Sequence, residues 1–137
     1  MPTFDACRPS SGTWRAEETT LVFVGRGNRH PEAQRRFAEF AERHRTHSQP
    51  RRLVPCYLAM ASPRLEEVID GVLSQSNRVV IQPHLLFEGT LARKVTTIAA
   101  DAVRRCAGRT VSCRVAPVLG PDELTVEAML GGNCCLF

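Results

Sequence analysis

Lysine is all but missing from this chain. Lys94 is one of 18 cationic side chains, and the other 17 are arginine. Aromatic residues are scarce too, at 6% with one Trp and one Tyr, which leaves little surface for stacking nucleic-acid bases. No basic run exceeds two residues, as at Arg51-Arg52 and Arg104-Arg105, so no nucleic-acid partner is expected. No stretch of 18 apolar residues exists, so no membrane-spanning helix is expected. The segment Met1 to Arg15 lacks the apolar core of a secretory signal. The expected compartment is therefore cytoplasmic and reducing, and the six cysteines at 7, 56, 106, 113, 134 and 135 do not read as a disulfide framework.

What is present is ordinary globular composition: 137 residues, 43% hydrophobic and 23% charged, with a net charge of +4. That is enough chain for one domain with its own core. The bland reading of the cation bias is arginine-favouring codon usage. The sharper reading is an anionic ligand, because guanidinium groups grip carboxylates and phosphates bidentately.

Along the chain, strand-like and helix-like patterns alternate. Residues 1–18 are polar and aperiodic and read as a loose leader. Thr20 to Val24 is a buried-strand run ending at Gly25. Residues 31–45 put Ala33, Phe37, Phe40, Ala41 and His44 on one helical face, with Pro31 at the first position. Leu53 to Leu58 is a second strand. Ser62 is the expected cap of a helix beginning at Pro63, with Leu65, Ile69, Val72 and Leu73 as its stripe. Val79 to Phe87 is a third strand whose ladder is expected to stop near Gln82, because Pro83 cannot donate to it. Leu91, Val95, Ile98, Ala102 and Cys106 mark a third helix, stopped by Gly108. Val111 to Leu119 is a fourth strand, and Pro121 to Leu130 a last helix. Such alternation predicts an α/β domain with about four parallel strands flanked by helices. The boundaries are 1–18 leader, 19–131 domain and 132–137 a cysteine-containing tail.

In open α/β sheets, ligands bind beyond the carboxyl ends of the strands. Two segments there carry chemistry. Gly25-Arg26-Gly27-Asn28-Arg29-His30-Pro31 offers a tight glycine turn, two arginines and the free N–H groups of a helix start, all suited to an anion. The same pattern also serves as a plain strand-to-helix turn. Pro83-His84-Leu85-Leu86-Phe87-Glu88-Gly89 places His84 at a strand end, where a neutral imidazole takes a proton or a divalent metal. A satisfied core histidine is the alternative, and Glu88 is either its orienting partner, a base or a solvated carboxylate. Cys56, Cys106 and Cys113 read as buried small hydrophobes. Cys134 and Cys135 read as soft-metal or iron–sulfur ligands, or as a tail without function. His44 and His47 read as the solvated end of a helix.

Together these segments resemble a family. Residues 25–33, GRGNRHPEA, are similar to the G-[HR]-G-S-x-D-P-x-A opening of the small sirohydrochlorin chelatases. Residues 59–67, 83–91 and 119–124 resemble that family's E-x-A-x-P-x-L-x-E, P-x-F-L-F-x-G-x-[HL] and L-G-x-x-x-x-L segments, in the same order. The resemblance covers residues 20–130. It implies a chelatase-type fold, half of a class II chelatase pocket, that inserts Co²⁺, Fe²⁺ or Ni²⁺ into an anionic tetrapyrrole of cobalamin or siroheme biosynthesis. It also implies a homodimer or a heterodimer with a histidine-bearing homologue. It makes His84 and Glu88 the catalytic candidates. Arg26, Gly27, Asn28, Arg29 and Leu91 become the substrate-binding candidates, and His84, His30, Cys134 and Cys135 the metal ligands. Asn133-Cys134-Cys135 looks like a contracted form of the segment that holds an iron–sulfur cluster in longer members.

Three positions depart from the family. Arg26 stands where the first-motif histidine is expected, Ala59 where an acidic residue follows the second strand, and Leu91 where a second histidine is expected. The resemblance is therefore to the half of a two-repeat member that lacks the usual chemistry. Three readings follow: a chelatase rebuilt around His84, a metal or tetrapyrrole carrier or half-enzyme, and a scaffold turned to other small-molecule chemistry.

Overall fold

A computed structural model of the chain describes residues 3–6, 15–86, 88–106 and 108–118, with only the backbone at 3–6. The expected last helix, Leu119-Gly120, Phe87 and the cysteines at 7, 134 and 135 lie outside the described residues.

Five strands form one sheet: β1 (Thr3–Ala6), β2 (Thr20–Gly25), β3 (Arg52–Tyr57), β4 (Arg78–His84) and β5 (Ser112–Val115). All neighbours are parallel, in the order β1-β5-β4-β2-β3. Three helices connect them: α1 (Pro31–Ser48), α2 (Leu65–Gln75) and α3 (Thr90–Arg105). The α/β reading holds. The sheet gains an edge strand from the segment read as a loose leader, since Thr3 to Ala6 pair with Ser112 to Val115.

One face of the sheet is aliphatic. Val22, Val24, Cys56, Val79, Ile81 and Cys113 pack with Leu65, Ile69, Val72 and Leu73 of α2 and with Val95, Ala99, Ala102 and Val103 of α3. No residue of α1 belongs to that cluster. Each fully buried Leu, Ile or Val contributes about 1.5–3 kcal/mol, so this layer carries most of the stability. Burial pushes the Cys56 and Cys113 thiols up to about 12, which fits their reading as inert core residues.

Two boundaries differ from the sequence reading. The second helix begins at Leu65 rather than Pro63, with Arg64 as its N-cap. The Pro63 carbonyl accepts the Tyr57 N–H at 2.9 Å, which holds residues 63–64 extended beside the end of β3. Helix can start only after that bond, and Glu67 then accepts the Arg64 N–H at 2.9 Å. The third strand runs through Pro83 to His84, paired with Val24 and Gly25. The Ala116 N–H bonds the Ile81 carbonyl, so odd-numbered residues of β4 direct their backbone groups toward β5. Pro83 therefore lacks its N–H on the side where β5 has already ended at Val115, and the ladder to β2 is intact.

Candidate active site at the carboxyl ends of the central strands

Chain connections run outward from the centre of this sheet. From β2 the chain goes through α1 to β3 on one side; from β4 it goes through α3 to β5 on the other. The crevice between the carboxyl ends of β2 and β4 is the place where such sheets bind ligands. Gly25 and His84 are register partners there, so the first motif and the histidine motif meet in space.

Gly27 is built into the scaffold. Its φ is +99°, and a Cβ at that position would lie 1.6 Å from the Ala59 carbonyl oxygen. The Leu58 N–H donates to the Gly25 carbonyl at 2.9 Å, and the Ala59 N–H to the Arg26 carbonyl at 3.2 Å. Only glycine lets the loops after β2 and β3 close on each other this tightly. Asn28 is committed as well. Its Oδ1 accepts the His30 N–H at 2.8 Å, and its carbonyl accepts the Gln34 side-chain amide at 2.8 Å, so it shapes the start of α1. Of the four residues expected to bind substrate in this motif, two are therefore structural in use. Arg26 and Arg29 are exposed and make no ion pair among the described residues.

His84 does not stand open in the crevice. It is half-buried on the α1 side of the sheet, its ring 5.3 Å from Phe23, 5.5 Å from Phe40 and 6.0 Å from Phe37. Phe37 stacks on Phe23 at 5.1 Å and meets Tyr57 at 5.0 Å. Gly25 makes room for this layer: a Cβ there would lie 2.6 Å from the Phe37 ring. His44 joins it, 5.3 Å from Phe23, with its Nδ1 3.1 Å from the Ser48 hydroxyl. Its reading as a solvated helix end is thereby corrected: it lies on the same face of α1 as Phe37 and Phe40, and the helix presses it onto the sheet. Burial, and secondarily His44, lower the His84 pKa, so His84 is a neutral imidazole near pH 7.

The remaining candidates are dispersed. His30 is the exposed N-cap of α1. Glu88 is exposed in the loop before α3, where it borders a small cleft with Pro83, Arg93 and Val115. Leu91 is half-buried and packs against the aliphatic core. Among the described residues, no three His, Cys, Asp or Glu side chains converge to hold a metal ion. No described helix is long and apolar enough to cross a membrane. Lys94 is one residue that sequence reasoning passed over: its ammonium donates to the Leu58 carbonyl at 3.1 Å, bracing α3 against the end of β3. Its only signal in the sequence is its being the lone lysine among 17 arginines.

Comparison with known proteins agrees with this geometry. A sirohydrochlorin ferrochelatase of Priestia megaterium is 32% identical over 80 residues, spanning 58% of this chain and 30% of that protein. The match thus covers about a third of the relative's length. A crystal structure of a CbiX protein from Marinobacter aquaeolei VT8, assigned to cobalamin (vitamin B12) biosynthesis, superposes with a TM-score of 0.62. It is 18% identical, over 83% of this chain and 92% of that one, a likeness of fold. The CbiX family matches residues 20–131, most of the chain. With that match, this chain belongs to the CbiX family of sirohydrochlorin chelatase-like proteins.

Proposed function

We propose that this chain binds an anionic, carboxylate-rich tetrapyrrole of the sirohydrochlorin class. In this reading it brings the tetrapyrrole together with a divalent metal ion (cobalt, iron or nickel) as a divergent chelatase. The supporting observation is the register pairing of Gly25 with His84, which brings the backbone of the first motif beside the strand end that carries His84. Arg26 and Arg29 bind substrate carboxylates. As the dication enters the macrocycle, two pyrrole N–H protons must leave, and the neutral imidazole of His84 is suited to accept one. Glu88, exposed in the loop after β4, is the acidic group of this reading that attracts the incoming dication.

A second reading is favoured by the residues themselves. Arg26, Ala59 and Leu91 replace a histidine, an acid and a second histidine of the family pattern, and the described residues supply no convergent metal ligands. The chain then works as a tetrapyrrole carrier, or as the substrate-binding half of a dimer whose histidines come from a homologue. The third reading, other small-molecule chemistry on the same scaffold, has no observation of its own. A cluster on Cys134-Cys135 would likewise need ligands from two chains. Anaerobic reconstitution with iron and sulfide checks it by visible absorbance, against a double Cys→Ser variant.

The test of the main reading is an anaerobic absorbance titration with sirohydrochlorin, followed by Co²⁺, Fe²⁺ or Ni²⁺. Metal insertion faster than the protein-free rate, and reduced roughly 100-fold in His84→Ala, is the expected result for a chelatase using a general base. Binding without accelerated insertion assigns the carrier or half-enzyme role. Absence of binding removes tetrapyrroles from consideration.

A further inference from the structure

The loop between β3 and α2 is braced at Leu58, Ala59 and Pro63, yet it leaves Met60 exposed. Tyr57 bonds Pro63 across the base of the loop. Leu58 and Ala59 bond the end of β2, Gly27 packs against Ala59, and Lys94 grips the Leu58 carbonyl from α3. One residue beyond these bonds, Met60 adopts φ +62°, a left-handed conformation that non-glycine side chains rarely take. Met60 is also 41% exposed, the one large hydrophobic side chain exposed among the described residues.

The two residues before Met60 are hydrogen-bonded to the end of β2 and to α3, so its backbone is anchored on that side. Met60 is not among the residues of the aliphatic core or those packed against it. A non-glycine residue held in a costly backbone conformation is a mark of functional sites, and here it coincides with a partly exposed thioether. The Ala59–Arg26 bond places this residue beside Arg26.

We propose that Met60 is a substrate-contacting residue, an apolar platform for the flat face of the macrocycle whose carboxylates Arg26 and Arg29 hold. This rests on the tetrapyrrole reading above and deepens it. The arginines recognise only the charged rim, so the platform is what separates a planar macrocycle from any other polycarboxylate. The thioether is polarizable and flexible, well matched to a conjugated ring face.

The test compares wild type, Met60→Gly, Met60→Leu and Arg26→Gln in two titrations. One uses sirohydrochlorin. The other uses an aliphatic tetracarboxylate, butane-1,2,3,4-tetracarboxylate. Met60→Gly is expected to weaken macrocycle binding about tenfold, the cost of one lost apolar contact. It should leave tetracarboxylate binding unchanged and not lower the Tm, since glycine suits a positive φ. Met60→Leu should bind the macrocycle as wild type does, and Arg26→Gln should weaken both ligands. Macrocycle binding by Met60→Gly equal to wild type overturns the proposal, as does a parallel loss of both ligands, which would report damage to the loop. A Met60→Leu variant as weak as Met60→Gly overturns it too. If wild-type protein binds the tetracarboxylate but not the macrocycle, or binds neither, the tetrapyrrole reading fails and takes this one with it.

Discussion

One face of the sheet is covered by two helices and filled with aliphatic side chains and inert thiols. The other lies under α1 and holds Phe23, Phe37, Phe40, Tyr57 and two histidines. The same strands build both, by simple alternation of side chains. In β2, Val22 and Val24 face α2 and α3, while Phe23 faces α1. The aliphatic face has no chemistry to offer and is the source of stability. The α1 face trades some of that stability for titratable rings lodged next to the crevice. The division shows how a small α/β domain keeps a conventional core while changing its site residues.

Variants at five positions test this division. On the aliphatic face, Leu73→Ala or Ile81→Ala leaves a cavity, and chemical denaturation should register a loss of about 2–5 kcal/mol. On the other face, Gly25→Ala drives a methyl group into the Phe37 ring. The ring must shift, and the expected loss is about 1–3 kcal/mol. Near-ultraviolet circular dichroism should change along with it. Equal losses from an aliphatic truncation and from the Gly25 change would erase the distinction.

A smaller effect depends on pH. The folded-state pKa of His84 lies below its ordinary value of 6.5, so the unfolded chain binds its proton more readily. Stability is unaffected well above 6.5, falls as pH drops below it, and levels off once both states are protonated. Thermal melts between pH 7.5 and 5 should show that fall, and His84→Gln should flatten it. The smallest change expected is at Arg105, whose ion pair with Asp70 links α3 to α2 at 3.0 Å between exposed side chains. Arg105→Ala should cost under about 1 kcal/mol, less still in high salt.

Most of the architecture was legible because the apolar periods are strong. Leu65, Ile69, Val72 and Leu73 spell out α2, and Leu91 through Cys106 spell out α3. What escaped reading depended on partners distant in sequence. Thr3 to Ala6 carry no pattern of their own and become a strand only through β5. Pro83 looks prohibitive until the end of β5 shows that its missing donor faces no ladder. The site shows the same limit. The carboxyl-end rule located Arg26 and His84. It gave no warning that Gly27 is held by Ala59 or that Asn28 shapes α1. Met60 lies in the 59–67 segment that carried the family resemblance, but nothing in its local spacing signals a left-handed backbone.

The outer side of β3 has a consequence for assembly. Bonds from Leu58 to Gly25 and from Tyr57 to Pro63 show that even-numbered residues direct their backbone groups inward to β2 and odd-numbered ones outward. The outward donors along this strand are therefore those of Leu53, Pro55 and Tyr57. Pro55 has no N–H, and the Tyr57 N–H is already taken by Pro63. A visiting strand would find one donor where it needs a row of them. Among the described residues, this border of the sheet is thus a poor template for edge-to-edge polymerisation through β3.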